Sequence, residues 1–200
     1  MEDYNKKIME NSIYLQTFKD KFANESKILI QSGLIFEEDD MDLFPCSKDE
    51  VLELEKTLGF FLPLAYKEFL LWGGHQSAWF LVGEDCFFKN ILDNQELALE
   101  LLEENKFPKE LPKDAFIFTS HHGYEFDFFE VSQGDNPPIY CYSESSNESF
   151  FKLIYPSFTD YLIEILELSV KSIRSYGGSP FMKNIILSPD EEFNVFDEIK

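Results

Sequence analysis

The chain has 200 residues, of which 44% are hydrophobic and 16% aromatic, including 22 phenylalanines. A chain of this length and composition can bury a sizeable core. Acidic residues outnumber basic ones by 38 to 17, a formal net charge of −21. This charge repels nucleic acid and anionic membranes and favours encounter with a basic partner. An acidic surface can also simply confer solubility, and that explanation stays open.

The cysteines and the amino terminus indicate where the protein works. Cys46, Cys86 and Cys141 are widely spaced and form no Cys-x-x-Cys pair, which favours reduced thiols over disulfides or a zinc site. The first ten residues lack the apolar core of a signal peptide. No apolar run reaches the roughly 20 residues that span a bilayer. We therefore expect a soluble, cytoplasmic protein.

The first predicted element is a helix over about residues 4–31. One apolar residue recurs every seven positions along it: Ile8, Leu15, Phe22 and Leu29. This spacing predicts a single apolar stripe that docks on the rest of the protein. The acidic run at residues 37–40 then predicts a solvated connector, because it lacks the alternating ligands and turn glycine of a calcium loop.

Residues 47–74 predict two short helices with consistent local signals. Ser47 and Glu50 form a Ser-x-x-Glu capping box before the first helix, and Gly59 fits the left-handed residue that commonly ends one. Pro63 suits the first position of the second helix, which Gly73-Gly74 would end. The apolar face of that helix comprises Tyr66, Phe69 and Leu70.

A strand is predicted at Trp79–Val82, and a third helix follows that Asp93 and Glu96 would cap. Its predicted buried side is Leu97, Leu101 and Leu102. We interpret Trp72 and Trp79, which flank the Gly-Gly pair, as core residues and not as a binding platform.

Short apolar or alternating runs predict strands in the second half of the chain. They are Ala115–Thr119, Tyr124–Val131, Ile139–Tyr142 and Phe150–Tyr155, although the last run can equally lead into a helix. Turns are predicted at residues 121–123 and 135–138. A closing helix begins at Ser157 with Asp160 as its cap partner, and Gly177-Gly178 ends it. A further short helix in the tail would carry Phe193, Phe196 and Ile199.

The predicted fold class is α+β, with helices packed on a mostly antiparallel sheet of about four to six strands. The order of the elements, and the glycine and proline residues at their ends, resemble those of the SUKH superfamily, the Smi/Knr-type immunity proteins. Four stretches carry this resemblance: Leu58-Gly59, Leu62-Pro63 with Tyr66-Lys67-Glu68-Phe69-Leu70, Gly73-Gly74, and Ser157-Phe158-x-x-Tyr161-Leu162. The combination of helix, Leu-Pro, helix and Gly-Gly is fairly specific evidence for this family, whereas each stretch alone is weak evidence.

The resemblance covers roughly residues 47–168 and divides the chain into three parts. We expect an N-terminal helical extension at 1–44, a SUKH-like α+β domain at 45–170, and a C-terminal tail with a short helix at 171–200. The chain departs from the family at His121-His122-Gly123, where members often have a small-residue, glycine-rich turn. The resemblance implies a fold without an established catalytic site, whose bacterial members commonly bind and neutralise toxins, often nucleases.

Two groups of side chains deserve comparison as chemical candidates. His121 and His122 could hold a metal or act as a base, but no nearby Cys/His spacing completes a site, so we favour a polar turn. Glu125 and Asp127 share one face of a strand, as an acid–base pair must. Alternating acidic residues are also typical of a solvated sheet face, which we favour, and such a face can contact Lys and Arg of a partner.

We therefore predict a non-enzymatic bacterial immunity protein that binds a cognate polymorphic or contact-dependent toxin, a basic nuclease, and occludes its active site. The predicted partner-binding residues are Glu125, Asp127, Glu130, Glu144 and Glu148. We expect no cofactor, no metal, and no direct binding of nucleic acid or membrane. The alternative is a non-catalytic regulatory or scaffold module. A metal-dependent hydrolase that uses Glu125 and Asp127 is the third hypothesis.

Overall fold

The computed structural model describes residues 13–36, 40–121, 123–146 and 148–177. Within these ranges it contains five α-helices: α1 (Gln16–Gln31), α2 (Lys48–Leu58), α3 (Leu64–Gly73), α4 (Ile91–Glu104) and α5 (Phe158–Tyr176). The strands of the same ranges are β1 (Leu43–Phe44), β2 (Gln76–Ser77), β3 (Ala115–His121), β4 (Glu125–Glu130), β5 (Ile139–Ser143) and β6 (Lys152–Tyr155). None of the helices described is both long and apolar enough to cross a membrane.

The four longer strands form one antiparallel sheet in the order β3-β4-β5-β6, and β1 pairs with β2 in a small separate sheet. Each strand of the larger sheet therefore pairs with its neighbour in sequence, as short hairpin connections require. The predicted α+β class and the antiparallel sheet are confirmed.

Strands β3 and β4 of the larger sheet are buried on both faces, and each face packs against different helices. One face packs against α3 and α5 through apolar side chains that include Phe116, Phe118, Phe129 and Ile139. The opposite face packs against α4 through Ile117, Phe126, Phe128 and Tyr142. The residues of β3 and β4 alternate between these two sets, so the interior positions of both strands are buried, whereas β5 is partly exposed and β6 has no buried residue.

The predicted helix pair at residues 47–74 is confirmed in nearly every detail. Ser47 Oγ accepts a hydrogen bond from the Glu50 N–H at 3.2 Å, and the Ser47 N–H donates to Glu50 Oε2 at 2.7 Å. Gly59 ends α2 with a φ of 79°. Pro63 lies one residue earlier than predicted, as the residue that precedes α3. It still starts the helix, because its fixed φ is compatible with the first turn.

Gly74 ends α3 for a spatial reason and not because of its backbone conformation. Its φ of −66° is available to any residue. A Cβ atom at this position would lie 2.5 Å from Cys46 Sγ and 2.6 Å from the Leu70 carbonyl oxygen. The Cys46 N–H also donates to that carbonyl at 2.9 Å, so the segment before α2 crosses the end of α3 at close range. Only glycine leaves enough room for this crossing.

Helix α1 is part of the main core. Its stripe of Leu15, Phe18, Phe22 and Leu29 is buried, as predicted, whereas Ile8 lies outside the described residues. The indole N–H of Trp79 donates to Ser26 Oγ of α1 at 2.8 Å, and Phe22 stacks on Trp79. Trp79 is therefore a core residue, as predicted.

Glu68 anchors the start of α1. Its buried carboxylate accepts hydrogen bonds from three successive backbone N–H groups, those of Ile13, Tyr14 and Leu15, at 2.8 to 3.3 Å. These amides precede the helix and have no partner within it. Residues of the predicted extension thus share one core with α3, and α5 continues past residue 170 to Tyr176. The predicted tail helix lies outside the described residues.

Two predictions in the middle of the chain are wrong. The predicted strand at Trp79–Val82 is a pair of turns, because Ala78 and Leu81 have φ values of 56° and 59° and a strand cannot pass through that conformation. The third helix begins at Ile91, before the predicted cap. Leu97 is 46% exposed, since α4 packs through Asn94, Ala98 and Leu101 and this stripe excludes it.

Candidate partner-binding surface

Three acidic residues meet at one end of the larger sheet, where the β3–β4 turn and the β5–β6 loop lie side by side. Glu125 begins β4 and pairs with Ser143 of β5. The Glu144 N–H donates to the Tyr124 carbonyl at 2.9 Å, which joins the two loops. Glu148 and Glu125 line one shallow depression of about 200 Å³. Strand pairing thus brings together residues that are up to 23 positions apart (148 − 125).

Exposed apolar side chains lie among these carboxylates. Tyr124 is 48% exposed, and Phe150 is 49% exposed. Phe150 lines the same depression as Glu125 and Glu148. Aromatic side chains surrounded by charged ones are typical of protein–protein interfaces. We call this region the acidic end, and it comprises Glu125, Glu144, Glu148, Tyr124 and Phe150.

Glu130, another predicted partner-binding residue, is not part of the acidic end. It is the last residue of β4, pairs with Ala115, and accepts a hydrogen bond from Gln133 at 2.7 Å. It lies five residue steps along the strand from Glu125, a distance of about 17 Å at roughly 3.4 Å per step. One partner surface of ordinary size would still span both sites, but they do not form a single cluster.

Asp127 is also not on a solvated sheet face, so the prediction that its side chain is exposed is wrong. Phe126 and Phe128 point toward α4, and alternation therefore directs Asp127 to the face that α5 covers. Its side chain is only 4% exposed. It lies at the bottom of a cleft of about 450 Å³, the Asp127 cleft. The walls of this cleft include Leu81, Tyr155, Tyr161 and Ile165.

Burial dominates the electrostatics of Asp127. Desolvation raises the pKa of its carboxyl group to about 7, although the nearby His121 and a hydrogen bond with Cys141 both act to lower it. Cys141 is its direct neighbour across the β4–β5 pair. None of the ion pairs found among the described residues includes Asp127. The carboxyl group therefore holds its proton to a higher pH than an exposed aspartate does.

His121 forms the rim of the same cleft with Glu84. It is the last residue of β3 and pairs with Glu125, and its Nδ1 lies 2.6 Å from Glu84 Oε2. The hydrogen bond to Glu84 raises the pKa of His121, and partial burial opposes that effect. The predicted turn is present, since the Tyr124 N–H donates to the His121 carbonyl at 3.2 Å. His122 lies outside the described residues.

Several residues of the cleft gave no signal in the sequence. Glu84 comes from a loop with an irregular backbone, and Lys152 and Tyr155 come from β6. The pairing of Asp127 with Cys141 and of Cys141 with Lys152 aligns these three residues across the sheet. The alternation of side chains along a strand predicts which residues of that strand share a face. It does not predict which residues of β4, β5 and β6 lie side by side, because that depends on the register between the strands.

The described residues provide little for covalent or metal chemistry. Burial raises the pKa of the Cys46 thiol to about 12, and it raises those of Cys86 and Cys141 further, so none of these thiols is a ready nucleophile. No group of three or more His, Cys, Asp or Glu side chains in the described ranges is arranged to hold a metal ion.

Comparison with known families identifies the chain. The model of the SMI1 / KNR4 family (SUKH-1) matches residues 45–164, more than half of the 200 residues. The chain belongs to this family, and the resemblance inferred from the sequence is confirmed. Membership is consistent with the role of an immunity protein. The match includes the acidic end and all of the Asp127 cleft except Ile165, and it leaves α1 outside. No curated protein matches the chain significantly.

Proposed function

We propose that this protein is a bacterial immunity protein that binds a basic toxin, a nuclease, through the acidic end and thereby occludes the active site of the toxin. The observation that carries the proposal is the acidic end itself. It combines three carboxylates with exposed aromatic side chains on the fold of a family consistent with this role.

The charge of the protein supports the choice of a basic partner. A net charge of −21 produces a negative field that speeds encounter with a basic protein and slows encounter with an acidic one. Nucleases bind a polyanion and need basic residues around their active sites. A carboxylate-rich surface therefore suits the very region of the toxin that must be covered to inhibit it.

Charge alone does not hold a complex together, so the exposed aromatic residues of the acidic end must contribute to affinity. Exposed charge pairs each contribute about 0–1 kcal/mol, whereas aromatic residues at the centre of an interface often contribute more than about 2 kcal/mol. Tyr124 and Phe150 are each about half exposed and therefore have surface left to bury. We assign affinity to them and association rate to the carboxylates.

The direct test is co-expression with the toxin domain encoded beside the gene of this protein. We expect rescue of growth, a stable complex on size-exclusion chromatography, and an association rate that falls steeply between low and physiological salt. No rescue and no complex would overturn the proposal. Capture of a housekeeping protein without rescue would instead support the regulatory or scaffold module.

Charge reversal locates the surface. The double variant Glu144→Lys/Glu148→Lys is expected to slow association at least tenfold and to abolish rescue, because it reverses two exposed charges of the acidic end. The matched comparison is between single reversals: Glu144→Lys and Glu148→Lys should each slow association more than Glu130→Lys, which makes the same change at the far end of β4. An equal loss in Glu130→Lys would show that net charge matters and the location does not.

A further inference from the structure

We infer that the Asp127 cleft is a binding pocket for one arginine side chain, which the partner inserts beside the acidic end. The identity of that partner rests on the proposed function, whereas binding of the side chain does not. The inference starts from the position of Asp127. A carboxylate that is 4% exposed lines a cleft of about 450 Å³ and belongs to no ion pair among the described residues.

The size and walls of the cleft suit a long cationic side chain. Its volume lies in the range of about 300 to 1,000 Å³ that is usual for ligand pockets. Tyr155 and Tyr161 contribute aromatic rings, and Leu81 and Ile165 contribute apolar contacts for an aliphatic stem. An arginine buries its stem against apolar groups, stacks its guanidinium on aromatic rings, and donates several hydrogen bonds to carboxylates. Lysine matches only part of this arrangement.

The charges that face Asp127 leave one carboxylate without a matching cation. Glu84 and Glu125 are the other two carboxylates of the cleft, and His121 and Lys152 are its two basic residues. His121 is already paired with Glu84 at 2.6 Å. Lys152 is exposed and makes no ion pair with Asp127. The remaining titratable groups, Cys141, Tyr155 and Tyr161, have raised pKa values and remain neutral near pH 7.

Burial of Asp127 also makes the binding depend on pH. The free protein holds a proton on Asp127 up to about pH 7, and a guanidinium can pair only with the ionised form. The proton must therefore leave as the arginine enters. Protonation of His121 at lower pH adds a positive charge and acts in the same direction. Affinity should fall about tenfold from pH 8 to pH 6 for a group with a pKa of about 7.

The test uses the intact chain and a blocked arginine, N-acetyl-arginine methylamide, titrated while backbone amide NMR signals are recorded. We expect saturable shifts at Cys141, Lys152 and Glu84, with a Kd on the order of millimolar. Blocked citrulline has nearly the same shape without the charge and should bind at least tenfold more weakly. Equal binding of citrulline, or shifts outside the cleft, would overturn the inference without any variant being needed.

Two variants sharpen the result. Asp127→Asn should weaken blocked arginine at least tenfold and reduce the dependence on pH to the part that His121 contributes, whereas Lys152→Gln should strengthen binding two- to fivefold by removing a competing cation. Unchanged affinity in Asp127→Asn would overturn the inference. Blocked-arginine binding that persists without toxin neutralisation would overturn only the proposed function. Neutralisation without any blocked-arginine binding would overturn only the arginine pocket.

Discussion

The helix pair at residues 47–74 and the Asp127 cleft depend on distant parts of the chain to very different degrees. In the helix pair, the cap residues contact backbone only three positions away. In the sheet, the surroundings of Asp127 include Glu84, Lys152 and Tyr161, which lie far from it in sequence. Local chemistry can therefore be interpreted from sequence with little error, whereas a position on a strand acquires its environment from whatever packs on it.

Among the variants that test this comparison, Asp127→Asn is expected to have the largest effect, and the effect is on the pH dependence of the free energy of unfolding. Burial raises the pKa of Asp127 from 3.8 to about 7, so between these values the folded state keeps a proton that the unfolded state has lost. The contribution of Asp127 to the free energy of unfolding is therefore fully present below about pH 3.8 and falls as the pH rises toward 7, by about 1.4 kcal/mol per unit. Urea unfolding from about pH 4.5 to 7.5 should show about 3 kcal/mol of this loss in the wild type and not in the variant.

His121 contributes to the same trend and survives in the variant. Its pKa is raised above 6.5, so the stability it adds is present below that pH and is lost as the pH rises through the folded value. Glu130→Gln removes one negative charge from the same strand outside the cleft and controls for net charge. If Asp127→Asn and the wild type kept a constant difference at every pH, the buried proton would be refuted.

Gly74→Ala tests whether α3 requires glycine at this position because a side chain has no room there. The added methyl group would meet Cys46 Sγ at 2.5 Å and the Leu70 carbonyl at 2.6 Å, so backbone must move. We expect a loss of about 2–3 kcal/mol in the free energy of unfolding, measured by urea denaturation. Gly59→Ala is the control, because its φ of 79° is strained but its surroundings are open, and it should lose only about 1 kcal/mol. The reverse order would contradict the spatial explanation.

Glu68→Ala tests a long-range contact of the helix pair, the one that α3 makes with the start of α1. Removing the carboxylate leaves the N–H groups of Ile13, Tyr14 and Leu15 without their partner, which should reduce stability by about 2 kcal/mol. Hydrogen exchange should quicken at these amides and along α1 before it quickens in the sheet. Glu53→Ala removes an exposed carboxylate of α2 and should change stability by less than about 0.5 kcal/mol. Similar losses in both variants would argue against an anchoring role.

Ser47→Ala gives the smallest expected effect and tests local capping alone. Loss of the Ser47 Oγ acceptor for the Glu50 N–H should reduce the thermal unfolding free energy by about 1 kcal/mol. Ser47→Asp retains an acceptor at the same position and should recover most of this loss. A neutral Ser47→Ala would show that tertiary packing, and not the cap, defines where α2 begins.

Errors of prediction follow the same division between local and distant contacts. Ser47, Gly59 and Ser157 were assigned correctly, because a cap is formed by a side chain and backbone within one turn. The Trp79–Val82 segment has the composition of a strand, yet Ala78, which precedes it, and Leu81, which lies within it, adopt left-handed backbone conformations. Composition does not encode such conformations outside glycine.

The amino-acid sequence by itself determined the family, the α+β class, the helix boundaries at capped ends and the acidic character of the surface. These properties follow from local geometry and from summed charge, neither of which needs a partner segment. Only the tertiary structure decided that Glu125, Glu144 and Glu148 meet while Glu130 lies apart, and that Asp127 is buried. The physical reason is that strand register and the packing of α5 set both distance and desolvation, and both arise between segments remote in sequence.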